Sequence, residues 1–189
     1  MLPEPIAVTL IVVEAFDALG IPYFIGGSLA SAMHGISRST LDVDMVADMR
    51  IEQAAPLVQT LGEPFYADED MIRGAIRRQS SFNVIHRPTM FKVDVFVPRR
   101  RPFDQAQFER RVLYALAENP VRTAYVASAE DNILAKLEWY RLGDETSERQ
   151  WSDIVNVIRV QGDRLDRAYL RRWAVELGVA DLLERALQV

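Results

Sequence analysis

The stretch IPYFIGGSLASAMHGISRSTLDVDMVA, residues 21 to 47, contains the pattern that decides the fold. Ile21 to Ile25 is short and apolar, as in a buried strand, and Gly26-Gly27-Ser28 follows it as a turn. Leu29 to Met33 has helical character that stops at Gly35. Glycines let backbone N–H groups approach a ligand closely, and the amino end of a helix attracts anions. We therefore predict that Gly26, Gly27 and Ser28 bind phosphate groups.

Two further strands carry acidic side chains among apolar ones. Polar and apolar residues alternate over 41–46, which places Asp42 and Asp44 on one face. In FKVDVFV, residues 91–97, Lys92 and Asp94 share a face and the valines point the other way. Carboxylates on neighbouring strands suit a pair of Mg²⁺ ions, which prefer oxygen ligands. Asp42, Asp44 and Asp94 are therefore the candidate catalytic and metal-binding residues, and Lys92 either pairs with Asp94 or contacts a nucleotide.

The rest of the chain predicts a sheet followed by helices. Residues 6–19 have apolar side chains at helical spacing, and beyond residue 127 the pattern is wholly helical, with Ser128 and Ser147 spaced as helix amino-terminal caps. The expected class is α+β, with a mixed, largely antiparallel sheet flanked by helices over residues 1–127 and a helical lobe over residues 128–189. The other predicted helices cover 51–61, 68–79, 129–142 and 148–161, with two shorter ones after them, and the other predicted strands cover 81–86, 90–97, 111–116 and 121–126.

Composition excludes several classes of protein. The 189 residues contain no cysteine, so disulfides, thiolate metal sites and cysteine nucleophiles are ruled out. A net charge of −5 disfavours a protein that coats nucleic acid by bulk electrostatics. The apolar run from Ile6 to Phe16 follows Pro3 and Pro5 rather than basic residues, unlike a signal peptide. With no stretch of about 20 apolar residues that would span a membrane, we expect a cytoplasmic protein.

These motifs, in this order, resemble the polymerase-beta-type nucleotidyltransferase superfamily. The resemblance rests on Gly26-Gly27-Ser28, a thirteen-residue gap, Asp42-Val43-Asp44, and Asp94 in an apolar strand. The segment HGISRSTLDVD, residues 34–44, is similar in particular to small bacterial nucleotidyltransferases of the abortive-infection and toxin kind. The resemblance implies an α/β nucleotidyltransferase lobe, two Mg²⁺ ions, and a nucleoside triphosphate such as ATP whose nucleoside monophosphate is transferred to an acceptor hydroxyl.

Three other residues are assigned roles with an alternative beside each. By resemblance, Lys136 reaches the nucleotide phosphates and Asp153 lines the acceptor side of the cleft, whereas both are otherwise ordinary helical charges. Arg38, in the loop before the aspartates, holds a phosphate oxygen or forms a loop salt bridge. His34 and His86 are taken as structural, because a lone histidine is more often satisfied by the fold than used as a ligand.

The acceptor is left open among a tRNA end, a protein side chain and a small molecule such as an aminoglycoside. Similarity to toxins favours tRNA or protein and implies a possible antitoxin partner, while the acidic stretch Asp68-Glu69-Asp70 is the one hint of a cationic small molecule. The basic run Arg99-Arg100-Arg101 either steers RNA or forms a solvated turn. The rival functions are a catalytically silent binding module, which the complete set of three aspartates disfavours, and a phosphoesterase, which usually needs histidine ligands.

Overall fold

The computed structural model describes residues 3–35 and 42–189. The strands are β1 (Tyr23–Ile25), β2 (Asp42–Ala47), β3 (Phe65–Tyr66), β4 (Ser81–His86), β5 (Phe91–Phe96), β6 (Val112–Glu118) and β7 (Val121–Val126). The α-helices are α1 (Glu4–Ala18), α2 (Gly27–His34), α3 (Ala54–Leu61), α4 (Glu69–Arg78), α5 (Pro102–Arg110), α6 (Ala129–Leu142), α7 (Glu148–Gln161), α8 (Arg167–Glu176) and α9 (Ala180–Leu187).

These elements form two compact units. One comprises 3–26 and 42–126, and the other 27–35 and 127–189. The first unit therefore contains every described strand, with α1, α3, α4 and α5, whereas α2 is grouped with the four carboxyl-terminal helices.

The first unit is built on one mixed sheet with the strand order β3-β4-β5-β2-β1-β7-β6. Among the described strands, four of the six neighbouring pairs are antiparallel, and β1–β7 and β2–β5 are parallel. Helix α1 packs on β2, β5 and β7 and buries Leu10, Val13 and Phe16 there. The prediction of an α+β fold with a mixed, largely antiparallel sheet is confirmed.

Two elements of this unit were not predicted. Helix α5 begins at Pro102, whose fixed φ suits the first helical position, and Asp104 accepts a hydrogen bond from the Arg101 N–H at 3.0 Å. Its apolar residues are sparse, but Phe108 packs edge-on against Phe24 of the sheet, with ring centroids 5.0 Å apart. Strand β3 is two residues long, which is too short for alternation to reveal it.

The second unit is helical, as its sequence predicts. Ser128 and Ser147 cap α6 and α7 by accepting hydrogen bonds from the N–H groups of Asp131 and Gln150. The core includes Ile133, Leu134 and Leu137 of α6, with Ile154 of α7 and Leu183 of α9, all fully buried. Within the described parts of the chain, none of the helices has the length and apolar character needed to cross a membrane.

Candidate functional site

The candidate carboxylates lie on one face of the central strands. Parallel pairing of β2 with β5 sets Asp42 beside Lys92 and Asp44 beside Asp94. Residues alternate between buried and half-buried along both strands, and the aspartates and Lys92 fall on the half-buried face. The shared face of Asp42 and Asp44, and that of Lys92 and Asp94, are therefore as the alternation predicts.

The register of these strands is fixed by their opposite face. Val43, Met45, Val93 and Val95 are each 0% exposed and form part of the core of the unit. A slip of one residue would bury the aspartates and expose these four side chains, which would cost several kcal/mol of burial at about 1.5–3 kcal/mol per side chain. The apolar residues thus hold the carboxylates at the surface in a defined order.

Asp94 has a defined partner on each carboxylate oxygen. The Lys92 ammonium lies 2.7 Å from Oδ2, and the Asn83 amide of β4 donates to Oδ1 at 2.9 Å. Asn83 is the register partner of Asp94 on the neighbouring antiparallel strand. The hydrogen bond to Asp94 raises the pKa of Lys92, and the charges of Asp94, Asp42 and Asp44 add to that effect. Lys92 therefore neutralises part of an acidic surface.

The three carboxylates have the chemistry of a magnesium site, although they do not converge as they stand. They are oxygen donors on adjacent strands, and the Lys92 ammonium feels the charge of all three. Within residues 3–35 and 42–189, no three acidic or histidine side chains are close enough together to hold a metal ion. Asp94 is instead held by Lys92 and Asn83, and metal binding at Asp42, Asp44 and Asp94 stays a prediction.

The glycine turn is joined to the aspartate strand by a backbone hydrogen bond. The Gly26 N–H donates to the Asp44 carbonyl at 2.9 Å, within the first unit. Gly27 has φ +55°, a left-handed conformation that a residue with a side chain adopts only with strain, and α2 begins there. The requirement for glycine at position 27 is thus conformational, whether or not phosphate binds.

Hydrogen bonds connect Asn132 to the start of α2 within the second unit. Its amide donates to Ser31 Oγ at 2.9 Å, and that hydroxyl donates to the Gly27 carbonyl at 3.1 Å. Both Ser31 and Asn132 are buried. The sequence offers no signal for this contact, because the two residues are 101 positions apart.

Lys136 forms a buried ion pair rather than an exposed contact. Its ammonium lies 3.0 Å from Asp153 Oδ2, and the two side chains are 10% and 7% exposed. The pair joins α6 to α7 within the second unit. The structure therefore pairs the residue that the resemblance assigns to the nucleotide phosphates with the one that it assigns to the acceptor side, and both roles stay predictions.

His34, at the end of α2, forms a hydrogen bond with Ala127 within the second unit. Nε2 donates to the Ala127 carbonyl at 2.7 Å, and burial lowers the pKa of His34, although the Ala127 carbonyl and Glu130 oppose that shift. Because the folded pKa is below the unfolded value, the unfolded chain takes up a proton first as pH falls below about 6.5.

We therefore expect the free energy of unfolding to decrease between pH 7.5 and pH 5 more steeply in the wild type than in a His34→Gln variant. Glutamine keeps a donor for the Ala127 carbonyl but does not titrate. Urea denaturation at both pH values measures this, and parallel pH dependences in the two proteins would contradict the assignment to His34.

Other charged residues of the sequence have structural partners. Asp68 caps α4 by accepting from the Met71 N–H at 2.8 Å, and Glu69 pairs with Arg73 at 2.7 Å, so two of the three acidic residues that hinted at a cationic acceptor stabilise a helix. Arg100 pairs with Asp48 at 3.3 Å.

The remaining residues of the sequence prediction are Arg101, His86 and Arg38. Arg101 pairs with Asp104 at 3.0 Å. Two of the three arginines in the basic run 99–101 therefore have acidic partners. His86 Nδ1 lies 2.9 Å from Thr89 Oγ1, in keeping with a structural histidine. Arg38 lies outside the described residues.

Comparison with known proteins identifies the fold. No protein-family model and no curated protein sequence matches the chain. The solved structures that match include the antibiotic-resistance factor ANT(2'')-Ia, at 13% identity over 95% of this chain and 96% of that one, with a TM-score of 0.59. An antigenic nucleotidyltransferase-like protein from Paracoccidioides brasiliensis matches at 16% identity over 98% of this chain and 92% of that one, with a TM-score of 0.58. The lincomycin-bound lincosamide antibiotic adenylyltransferase LnuA matches at 16% identity over 84% of this chain and 98% of that one, with a TM-score of 0.52. At these identities the likeness is one of fold, and the chain has the fold of these nucleotidyltransferases, in agreement with the resemblance to the polymerase-beta-type superfamily.

Proposed function

We propose that the protein is a nucleotidyltransferase that transfers a nucleoside monophosphate from a nucleoside triphosphate to an acceptor hydroxyl. The observation that carries the proposal is the register of β2, β4 and β5. It sets Asp42, Asp44 and Asp94 on one half-buried face, with Lys92 and Asn83 on Asp94. Buried valines on the other face leave solubility as a poor explanation for three acidic residues at these positions.

Each residue of this chain has a proposed role in that reaction. Asp42, Asp44 and Asp94 would hold two magnesium ions, Asp94 also being the candidate base for the acceptor hydroxyl. When bound there, magnesium supplies neutralisation of phosphate charge and a lower pKa for the attacking hydroxyl. Gly27 and Ser28 would bind the β- and γ-phosphates, for which a backbone with φ +55° and a helix amino end are suited.

The acceptor class is the part of the proposal that experiment must decide. The similar structures include a lincomycin-bound adenylyltransferase, which favours a small-molecule hydroxyl. The resemblance to toxin-type enzymes favours tRNA or protein, together with an antitoxin partner. The contacts of Asp68 and Glu69 within α4 weaken the sequence argument for a cationic sugar in particular.

The test is magnesium-dependent binding of each α-³²P-labelled nucleoside triphosphate, followed by transfer of label to total tRNA, to cell protein, or to a panel of aminoglycosides and lincosamides. We expect one triphosphate to bind only with Mg²⁺ and one acceptor class to become labelled. If folded wild-type protein binds no triphosphate, the proposal is wrong and the chain is a silent binding module.

A further inference from the structure

Lys92 and Asp94 interact in a way that the nucleotidyltransferase reaction does not itself require. We propose that Lys92 is the resident counterion of the carboxylate face, and that a divalent cation binds by displacing its ammonium from Asp94. The inference rests on the proposed function, because it concerns the same three carboxylates. It adds a condition: the metal site forms only when the Lys92 ammonium leaves Asp94.

Both carboxylate oxygens of Asp94 have a partner. Asn83 occupies Oδ1 at 2.9 Å and Lys92 occupies Oδ2 at 2.7 Å. The Asn83 amide is neutral, and it keeps the carboxylate in one orientation whether or not a metal is bound. Oδ2 is therefore the oxygen for which two cations compete, because Mg²⁺ requires close ligands in a tight octahedron.

Repulsion among the carboxylates favours a counterion on this face. Three half-buried carboxylates on adjacent strands repel one another, and like charges that lie opposite each other in a sheet are destabilising. Lys92 is the register partner of Asp42 and lies two residues before Asp94, so its side chain is on the face that carries carboxylates of both strands. The positive charge of Lys92 therefore stabilises the metal-free fold.

The counterion is a lysine in a chain that uses arginine almost everywhere else. The chain has 22 basic residues, and only Lys92 and Lys136 are lysines. A guanidinium would hold the carboxylate through a rigid two-pronged contact, whereas an ammonium on a flexible stem detaches more readily into water. The Lys92 side chain is 39% exposed, against 10% for Lys136, so it has solvent into which it can move.

The first test compares metal affinity in three proteins without nucleotide. Calorimetric titration with Mn²⁺ is expected to show about fivefold tighter binding by Lys92→Met than by the wild type, because loss of a competing interaction of about 1 kcal/mol changes the dissociation constant by that factor. Arg100→Met is the matched control, since it removes an exposed cation paired with Asp48 at 3.3 Å. Equal affinity of Lys92→Met and the wild type would overturn the proposal.

The second test observes the displacement itself. Protein labelled with ¹³C and ¹⁵N in lysine alone gives two side-chain signals, from Lys92 and Lys136, and Lys92→Arg assigns them. Mg²⁺ is expected to shift the Lys92 ammonium signal to its position in metal-free Asp94→Ala, where its partner is missing, and to leave Lys136 unmoved. A purely structural ion pair would not respond in this way.

The outcomes separate this inference from the proposed function. Metal binding to the wild type with an unmoved Lys92 signal overturns the counterion role and leaves the nucleotidyltransferase proposal intact. Absence of any metal binding, in the wild type and in Lys92→Met, overturns the counterion role, and Mg²⁺-dependent triphosphate binding then decides the proposed function separately. Tighter binding by Lys92→Met together with the shifted signal supports both.

Discussion

An Asp42→Asn, Asp44→Asn double variant is expected to fold normally and to lose nucleotidyl transfer by about 10²- to 10³-fold, since metal ions supply several kcal/mol of charge stabilisation and each 1.36 kcal/mol is a factor of ten. Asparagine keeps the size of aspartate and a carbonyl oxygen, but it lacks the negative charge that holds a cation. Both side chains are on the half-buried face, so no core contact is lost. Label transfer and Mg²⁺-dependent triphosphate binding measure the effect.

The matched control for this variant is Asp48→Asn. Asp48 follows the same strand, which ends at Ala47, and it pairs with Arg100 rather than with the carboxylate face. We expect Asp48→Asn to retain transfer within about twofold, as for most exposed substitutions that change stability by less than ~0.5 kcal/mol. Loss of transfer in both proteins would indicate a general effect of charge, and retention by the double variant would remove Asp42 and Asp44 from the site.

A Lys136→Met variant is expected to lower the free energy of unfolding by about 3–5 kcal/mol, because it leaves Asp153 buried without its cation. Asp153→Asn leaves the ammonium similarly uncompensated and should also destabilise the protein. The double variant Lys136→Met, Asp153→Leu removes both charges and should recover most of the loss. Urea denaturation of the four proteins measures the coupling energy between the two residues.

The same series decides between the two roles assigned to Lys136. If the Lys136 ammonium contacts nucleotide phosphates, the double variant, whose stability is recovered, has a higher dissociation constant for the triphosphate than the wild type. If the ion pair only joins α6 to α7, the stable double variant binds nucleotide as the wild type does. Measuring affinity in the double variant avoids the unfolding that would obscure a single substitution.

The face on which the candidate carboxylates lie can be predicted from the sequence, because successive side chains of a strand point to opposite faces. Val43, Val93 and Val95 alternate with Asp42, Asp44 and Asp94, and the faces follow from that alternation. What the alternation does not contain is the register between strands that are far apart along the chain. Asn83 was therefore missed, although it is the direct cross-strand partner of Asp94.

In the helical unit, too, the elements follow from local sequence, whereas the contacts between them do not. Its helices were predicted from apolar spacing and from caps such as Ser128, which are local signals. The contacts of Lys136 with Asp153 and of Asn132 with Ser31 depend on how the helices pack, and neither pair is close in sequence. The sequence alone gives Lys136 no partner on another helix, and its assignment to the nucleotide phosphates rests on the resemblance.

The grouping of α2 with the carboxyl-terminal helices has a consequence during biosynthesis. This helix leaves the ribosome early, but its partners His34–Ala127 and Ser31–Asn132 exist only after the entire sheet unit has been translated. At a synthesis rate of roughly 5–20 residues per second, several seconds pass between translation of α2 and translation of the residues that pair with Ser31 and His34. A polypeptide stopped after Val126 would keep the aspartate strands and leave that helix without its fold partners.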